Sequence, residues 1–203
     1  IINIDSDKPQ KKRIEEAVGV LKSGGLVVFP TDTVYGLGAS IHFDRAMDRI
    51  YEIKKRPREK RLVFLVGFKK DIGRFTNALS TEAKQLVQYF WPGPLTLIFS
   101  SKKYKTVALR MPDHRIALGL IRKAGPLAAT SANLSGRKES VVLNGVGRKL
   151  LEKVDLSIDG GKTPLGRVST VLDVTKYPFR VVREGCIKKV ELRRFIETKA
   201  RNV

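Results

Sequence analysis

Between Pro9 and Lys22 the apolar residues Ile14, Ala17, Val18 and Leu21 recur at i, i+3, i+4 and i+7, which predicts a helix that Gly24 and Gly25 end. Leu26 to Phe29 are then continuously apolar and Pro30 closes them, the pattern of a short strand buried on both faces. A second helix is predicted over Asp44–Ile53 and a second buried strand over Leu62–Val66. Ser80 is placed to cap a helix whose Ala83, Leu86, Val87 and Phe90 share one face, with Trp91-Pro92-Gly93-Pro94 stopping it. Strands are predicted over Leu95–Ser100 and Val107–Met111, and Asp113 is placed to cap a helix with Ile116, Ala117, Leu120 and Ile121 inward. Short strands follow from Pro126 to Thr130, near Leu156, over Thr170–Val174 and over Phe179–Val182. Lys188–Thr198, with Val190, Leu192, Phe195 and Ile196, reads as a surface helix. Alternating helices and strands predict an α/β fold around a mixed sheet. With no repeat, low-complexity tract or linker, one domain is expected over residues 1–203, the stretch 187–203 forming a C-terminal surface helix and tail.

With 42% hydrophobic residues, a chain of 203 can bury one substantial core. Charge changes the picture, because 40 Lys and Arg against 20 Asp and Glu give +20 with both histidines neutral. Such a chain attracts polyanions, nucleic acid first among them, since neutralising phosphates releases condensed counterions. The excess is spread along the chain rather than gathered on one amphipathic helix, which argues against a membrane surface; a solvated basic exterior is the other reading. Cys186 is the single cysteine, which excludes an internal disulfide and a cysteine-built zinc site. No apolar run spans a bilayer and no signal-peptide pattern opens the chain, so a cytoplasmic protein without a membrane partner is expected.

Two motifs fail on inspection. Gly161-Lys162-Thr163 ends like a phosphate loop, but its first glycine would fall on Leu156; Gly36-Leu37-Gly38 begins a dinucleotide fingerprint whose third glycine would fall on Ile41. His42 and His114 are the only histidines, which leaves few bases for a nucleophilic triad.

Three segments carry more. Pro30-Thr31-Asp32-Thr33-Val34-Tyr35-Gly36-Leu37-Gly38 follows a buried strand, where α/β proteins place ligand loops. Lys54-Lys55-Arg56-Pro57-Arg58-Glu59-Lys60-Arg61 is a cationic loop suited to polyphosphate, a lysine supplying a point charge and an arginine a planar fork. Thr130-Ser131-Ala132-Asn133-Leu134-Ser135-Gly136 offers small hydroxyl and amide groups after another strand. Taken singly, each also reads as a turn, a helix cap or a solvated charge run.

In this order the three segments resemble the YrdC/Sua5 family of threonylcarbamoyl-AMP synthases, in the short, single-domain form, from Lys12 to Cys186. Further landmarks are Phe90-Trp91-Pro92-Gly93-Pro94-Leu95-Thr96, Val107-Ala108-Leu109-Arg110-Met111-Pro112, Ser169-Thr170-Val171-Leu172-Asp173 and Arg183-Glu184-Gly185. The resemblance implies a twisted mixed sheet with flanking helices and a positively charged concave face. It implies that Lys54, Arg56, Arg58, Thr106, Asn133, Ser140 and Arg183 hold ATP and that Thr31, Val63, Arg110, Ser131 and Ser169 hold threonine. The implied reaction joins L-threonine and bicarbonate to ATP with Mg2+, releasing pyrophosphate, without a protein nucleophile. The product serves N6-threonylcarbamoyladenosine modification of tRNA through a partner tRNA threonylcarbamoyl transferase. Two departures stand out, since Arg61 replaces a frequent Pro and Leu65 a frequent His. The competing readings are a double-stranded RNA or tRNA-binding module without synthase activity, and carbamoyl-adenylate chemistry, which is associated with longer chains carrying zinc-binding cysteines.

Overall fold

A computed structural model describes residues 1–77 and 79–200, the last two by backbone alone. In chain order the elements are β1 (Ile2–Asn3), α1 (Lys11–Lys22), β2 (Val27–Phe29), β3 (Gly36–Ser40), α2 (Asp44–Lys54), β4 (Val63–Leu65), α3 (Thr81–Phe90), β5 (Leu95–Ser100), β6 (Thr106–Arg110), α4 (Arg115–Ala124), β7 (Leu127–Ser131), α5 (Arg148–Leu151), β8 (Leu156–Asp159), β9 (Thr170–Asp173), β10 (Arg180–Arg183) and α6 (Lys189–Ala200). All strands join one mixed sheet in the order β1-β8-β2-β3-β7-β4-β6-β5-β9-β10. The expected α/β fold with a mixed sheet between helices is therefore present.

Most elements sit where apolar periodicity places them, because burial of one stripe or one face is what selects them. Ser80 caps α3 as read, its hydroxyl accepting from the Ala83 amide at 3.2 Å. Three differences have physical causes. Gly36 to Gly38, read as part of a loop, lies within β3: a Cβ on Gly38 would meet the Phe29 ring at 2.9 Å, so the bare backbone makes room for that ring. Asp113 does not cap α4, because His114 is still extended (φ −148°, ψ 125°) and the helix starts at Arg115. In α6, Val190 points outward at 57% exposure while Leu192 is fully buried and Phe195 packs edge-on against Phe90 at 5.2 Å. Residues 201–203 of the expected tail lie outside the described residues.

Two layers cover the sheet. Alternate residues of β2, β4 and β7, namely Val27, Phe29, Leu65, Leu127 and Ala129, pack against α1 and α4. On the opposite face Val28, Leu37, Ala39 and Ala128 meet α2, while Leu95, Leu97, Leu109 and Leu172 meet α3 and α6. The Trp91 indole is 2% exposed and donates to the Leu95 carbonyl at 2.7 Å, fixing the turn that leads into β5. No helix among the described residues is long and apolar enough to cross a membrane.

Candidate active site

The helices α1 and α4 leave part of their face uncovered, and there a cavity of about 910 Å³ opens. Its floor is a row across the sheet: Ala129 pairs with Val63, Val63 with Ala108, and Ala108 with Ile98. Two alanines in that row keep the floor low enough for a ligand to lie on it. The walls carry Lys54, Arg56, Lys60, Arg61, Arg110, Arg137 and Arg183 against two carboxylates, Glu59 and Glu139.

Ten of the twelve residues expected to hold substrates line this one cavity: Thr31, Lys54, Arg56, Val63, Thr106, Arg110, Ser131, Asn133, Ser169 and Arg183. Arg58 and Ser140 do not. Arg58, in the loop after α2, turns to Asp48 and over the Tyr51 ring at 4.9 Å, because that helix presents an exposed carboxylate to it. The Ser140 hydroxyl donates to the Val142 carbonyl at 2.5 Å, and its own carbonyl accepts from the Tyr35 amide at 2.9 Å, so it shapes the loop beside the cavity. Neither histidine lines the cavity. Burial pushes His114 down to about 4 and leaves its Nδ1 without a hydrogen-bond partner.

A buried charged group of the cavity is Arg110, 6% exposed at the end of β6. Its Nη2 meets Asp32 Oδ1 at 2.5 Å, its Nη1 donates to Thr33 Oγ1 at 2.9 Å and its Nε to the Gly93 carbonyl at 3.1 Å. Of the five N–H donors of a guanidinium, two remain for a ligand. Burial pushes the Asp32 carboxyl up and the neighbouring Arg110 charge opposes that shift. Sequence reasoning quoted Asp32 and Thr33 without giving them a task. No sequence signal marked them, since the need of a buried arginine for a carboxylate and acceptors within reach shows only once its burial is known.

Thr31 is held differently. Its hydroxyl donates to the Val34 carbonyl at 2.7 Å and accepts from the Thr33 and Val34 amides, so it sets the loop's shape more than it offers a free donor. Above the loop, Thr163 donates to the Thr33 carbonyl at 3.0 Å, which is the structural use of the Gly161-Lys162-Thr163 run. Tyr35 donates to the Gly161 carbonyl at 2.7 Å, and burial pushes its phenol up to about 12.

Lys54, at the last position of α2, is 1% exposed. Its ammonium donates to the Ser131 carbonyl (2.6 Å), the Asn133 carbonyl and Asn133 Oδ1 (3.2 Å), binding the helix end to the loop after β7. Ser131 Oγ closes the knot by donating to Asn133 Oδ1 at 2.5 Å. Burial lowers the Lys54 ammonium to about 8; Arg56 pushes the same way and Glu139 opposes. Arg183, on β10, donates to the Ser169 carbonyl at 2.9 Å and the Ser169 hydroxyl at 3.2 Å, and that hydroxyl lies 2.9 Å from Thr96 Oγ1. Gly185 makes this approach possible, because a Cβ there would stand 2.2 Å from the Val168 carbonyl oxygen. Gly185→Ala is expected to cost about 1–3 kcal/mol, seen as a lower midpoint in thermal unfolding.

A buried arginine fork, a knotted lysine and a second arginine around one floor define an α/β protein with a cation-lined cavity. The chain belongs to the Sua5/YciO/YrdC family: the family described as "Sua5_yciO_yrdC: Telomere recombination" matches residues 19–185. It is similar to the threonylcarbamoyl-AMP synthase of Pyrococcus abyssi, 37% identical across 97% of this chain and 60% of that protein. It is likewise similar to the threonylcarbamoyl-AMP synthase of Bacillus subtilis, 38% identical across 93% of this chain and 57% of that one. The chain thus spans about 60% of the length of these curated relatives. The crystal structure of P. abyssi Sua5 complexed with L-threonine superposes with a TM-score of 0.92 at 36% identity, covering 96% of this chain and 60% of that one.

Proposed function

We propose that this chain condenses L-threonine, bicarbonate and ATP into threonylcarbamoyl-AMP, releasing pyrophosphate, as an L-threonylcarbamoyladenylate synthase in tRNA modification. The observation that carries the reading is that the buried guanidinium of Arg110, suited to a carboxylate, and a set suited to polyphosphate at Lys54, Arg56 and Arg183 line one cavity. The superposition on a relative solved with L-threonine supports the reading that this fold takes threonine.

In this reading the two uncommitted N–H groups of Arg110 take the threonine carboxylate, with Asp32 and Thr33 holding the fork in plane. Ser131 and Ser169 flank the amino group and its carboxylated form, while Val63 supplies an apolar floor. Threonine nitrogen joins bicarbonate with loss of water, and the resulting N-carboxylate oxygen attacks the α-phosphorus. The bond from that phosphorus to the bridging oxygen breaks and pyrophosphate leaves with the electron pair. Arg56, Arg183, Lys54 and Asn133 neutralise and orient the phosphates, and Thr106 marks the rim. Holding two anions together against their repulsion is then the main catalytic effect.

Magnesium would travel with ATP. No group of three or more His, Cys, Asp or Glu side chains suited to a metal exists among the described residues, and the cavity offers only Glu59 and Glu139. The ion would accordingly be held mainly by phosphates and water, and when bound it offsets charge on the departing pyrophosphate. The labile adenylate passes to a partner tRNA threonylcarbamoyl transferase, and the +20 charge would keep tRNA near. A double-stranded RNA or tRNA-binding module without chemistry would account for that charge, but not for a buried, carboxylate-paired arginine lining the cavity.

The expected result is pyrophosphate release from ATP, with magnesium and bicarbonate, that requires L-threonine. Salt-sensitive tRNA binding with no release under any of these conditions would overturn the synthase reading.

A further inference from the structure

Arg61 has no task in the reaction described above, yet it lines the same cavity. Its loop is closed by Arg56, whose guanidinium donates to the carbonyls of Lys60 at 2.6 Å and of Arg61 at 3.1 Å. From that loop Arg61 reaches to the first residue of β6, where its Nη1 donates to the Thr106 carbonyl at 2.9 Å. The guanidinium carbon stands 5.8 Å from the centre of the Tyr104 ring. None of the ion pairs among the described residues includes Arg61. One of its five donors is committed, and its charge is uncompensated.

Its position in the cavity is set by strand pairing. Val63 lies opposite Ala108 in the parallel β4–β6 pair, so Arg61 comes level with Thr106 at the cavity's rim. Arg110 is four residues further along β6, about 13 Å away at the rise of an extended strand. If threonine's carboxylate sits at Arg110, the α-phosphate must lie close to the amino acid. Lys54 is tied to Ser131 on the β7 side and Arg183 to Ser169 beside β5, which leaves the stretch of rim where Arg61 meets Thr106 on β6 for the nucleoside. A guanidinium suits a base there because it is planar, weakly hydrated and stacks on π systems, whereas an ammonium is a hydrated point charge.

We propose that Arg61 contacts the nucleobase of ATP, its guanidinium plane lying between the Tyr104 ring and the adenine. This rests on the synthase reading given above. Arg61 then selects for a nucleotide over bare polyphosphate and anchors the end of ATP farthest from the chemistry.

Isothermal titration of wild type, Arg61→Ala, Arg61→Lys and Tyr104→Leu with ATP, inorganic tripolyphosphate and L-threonine tests this. Both Arg61 variants are expected to bind ATP about tenfold more weakly, with tripolyphosphate and L-threonine affinities held within about twofold. Tyr104→Leu leaves the bonds between Arg56 and the Arg61 loop in place and is expected to weaken ATP by about threefold. Unchanged ATP affinity in Arg61→Ala, an equal loss for tripolyphosphate, or full rescue by Arg61→Lys would each overturn the proposal, the last two by showing that only charge matters. A wild type that binds no ATP would sink the synthase reading and this inference together. A wild type that binds ATP as tightly as its Arg61 variants sinks this inference alone.

Discussion

Arg110→Met is expected to lower threonine-dependent pyrophosphate release by about a hundredfold or more, because it removes the one buried guanidinium among the described residues, which lines the cavity. The same change strands Asp32, 3% exposed, without its cation. Breaking a buried pair from one side typically costs about 3–5 kcal/mol, so the single variant is also expected to unfold at a lower temperature. The two effects separate in the double variant Asp32→Asn/Arg110→Met. Neutralising both partners removes the stranded charge, so thermal stability should return towards wild type while L-threonine use stays lost. Recovery of threonine-dependent turnover in the double variant would show that Arg110 served the fold alone. Arg110→Lys offers a graded comparison, since it keeps the charge and loses the bidentate geometry.

Lys54→Met is the second large expected effect. Methionine preserves much of the buried stem but leaves the carbonyls of Ser131 and Asn133 and the Asn133 side chain without their shared donor. Leaving such acceptors unmet costs about 1–3 kcal/mol, and water entering from the cavity limits the loss to the lower part of that range. The effect on ATP binding should be larger than the effect on stability, because the loop after β7 carries Ser131 and Asn133 into the cavity. The pH dependence has a definite sign. The Lys54 ammonium, ordinarily near 10.5, is lowered to about 8 by burial. ATP affinity in wild type should therefore fall as pH rises through 8, and Lys54→Met should flatten that limb. Stability moves the other way: between about 8 and 10.5 the unfolded chain holds a proton that the folded one has released, so this residue's contribution to stability rises with pH there. A titration of ATP affinity from pH 7 to 10 checks the first, and denaturant midpoints over the same range check the second.

Legibility along the chain follows burial. The stripes of α1 and α3, the continuous run before Pro30 and the strands β5 and β6 were readable because each buries a face that only one period satisfies. The strand β3 was not, since glycines carry no periodic signal and its reason for existing is a ring, Phe29, on the neighbouring strand. The short β1 was missed because two residues have no period at all, and it exists only by pairing in parallel with β8.

The residue types of the site were settled by the sequence itself: an excess of cations, hydroxyls after strands, few histidines to serve as bases, and a single cysteine, too few for a cysteine-built zinc site. These are local facts, and a resemblance to a family could be built on them. Which of those residues share a cavity was decided only by tertiary structure. Strand order brings β4, β6 and β7 side by side from sequence positions far apart, and that adjacency places Val63, Ala108 and Ala129 in one floor. Arg58 is drawn away from the cavity lining by Asp48, and the Ser140 hydroxyl is taken up by the Val142 carbonyl. Asp32 gained its task because burying Arg110 in a low-dielectric interior demands a partner, a requirement that arises only once the chain has closed around both.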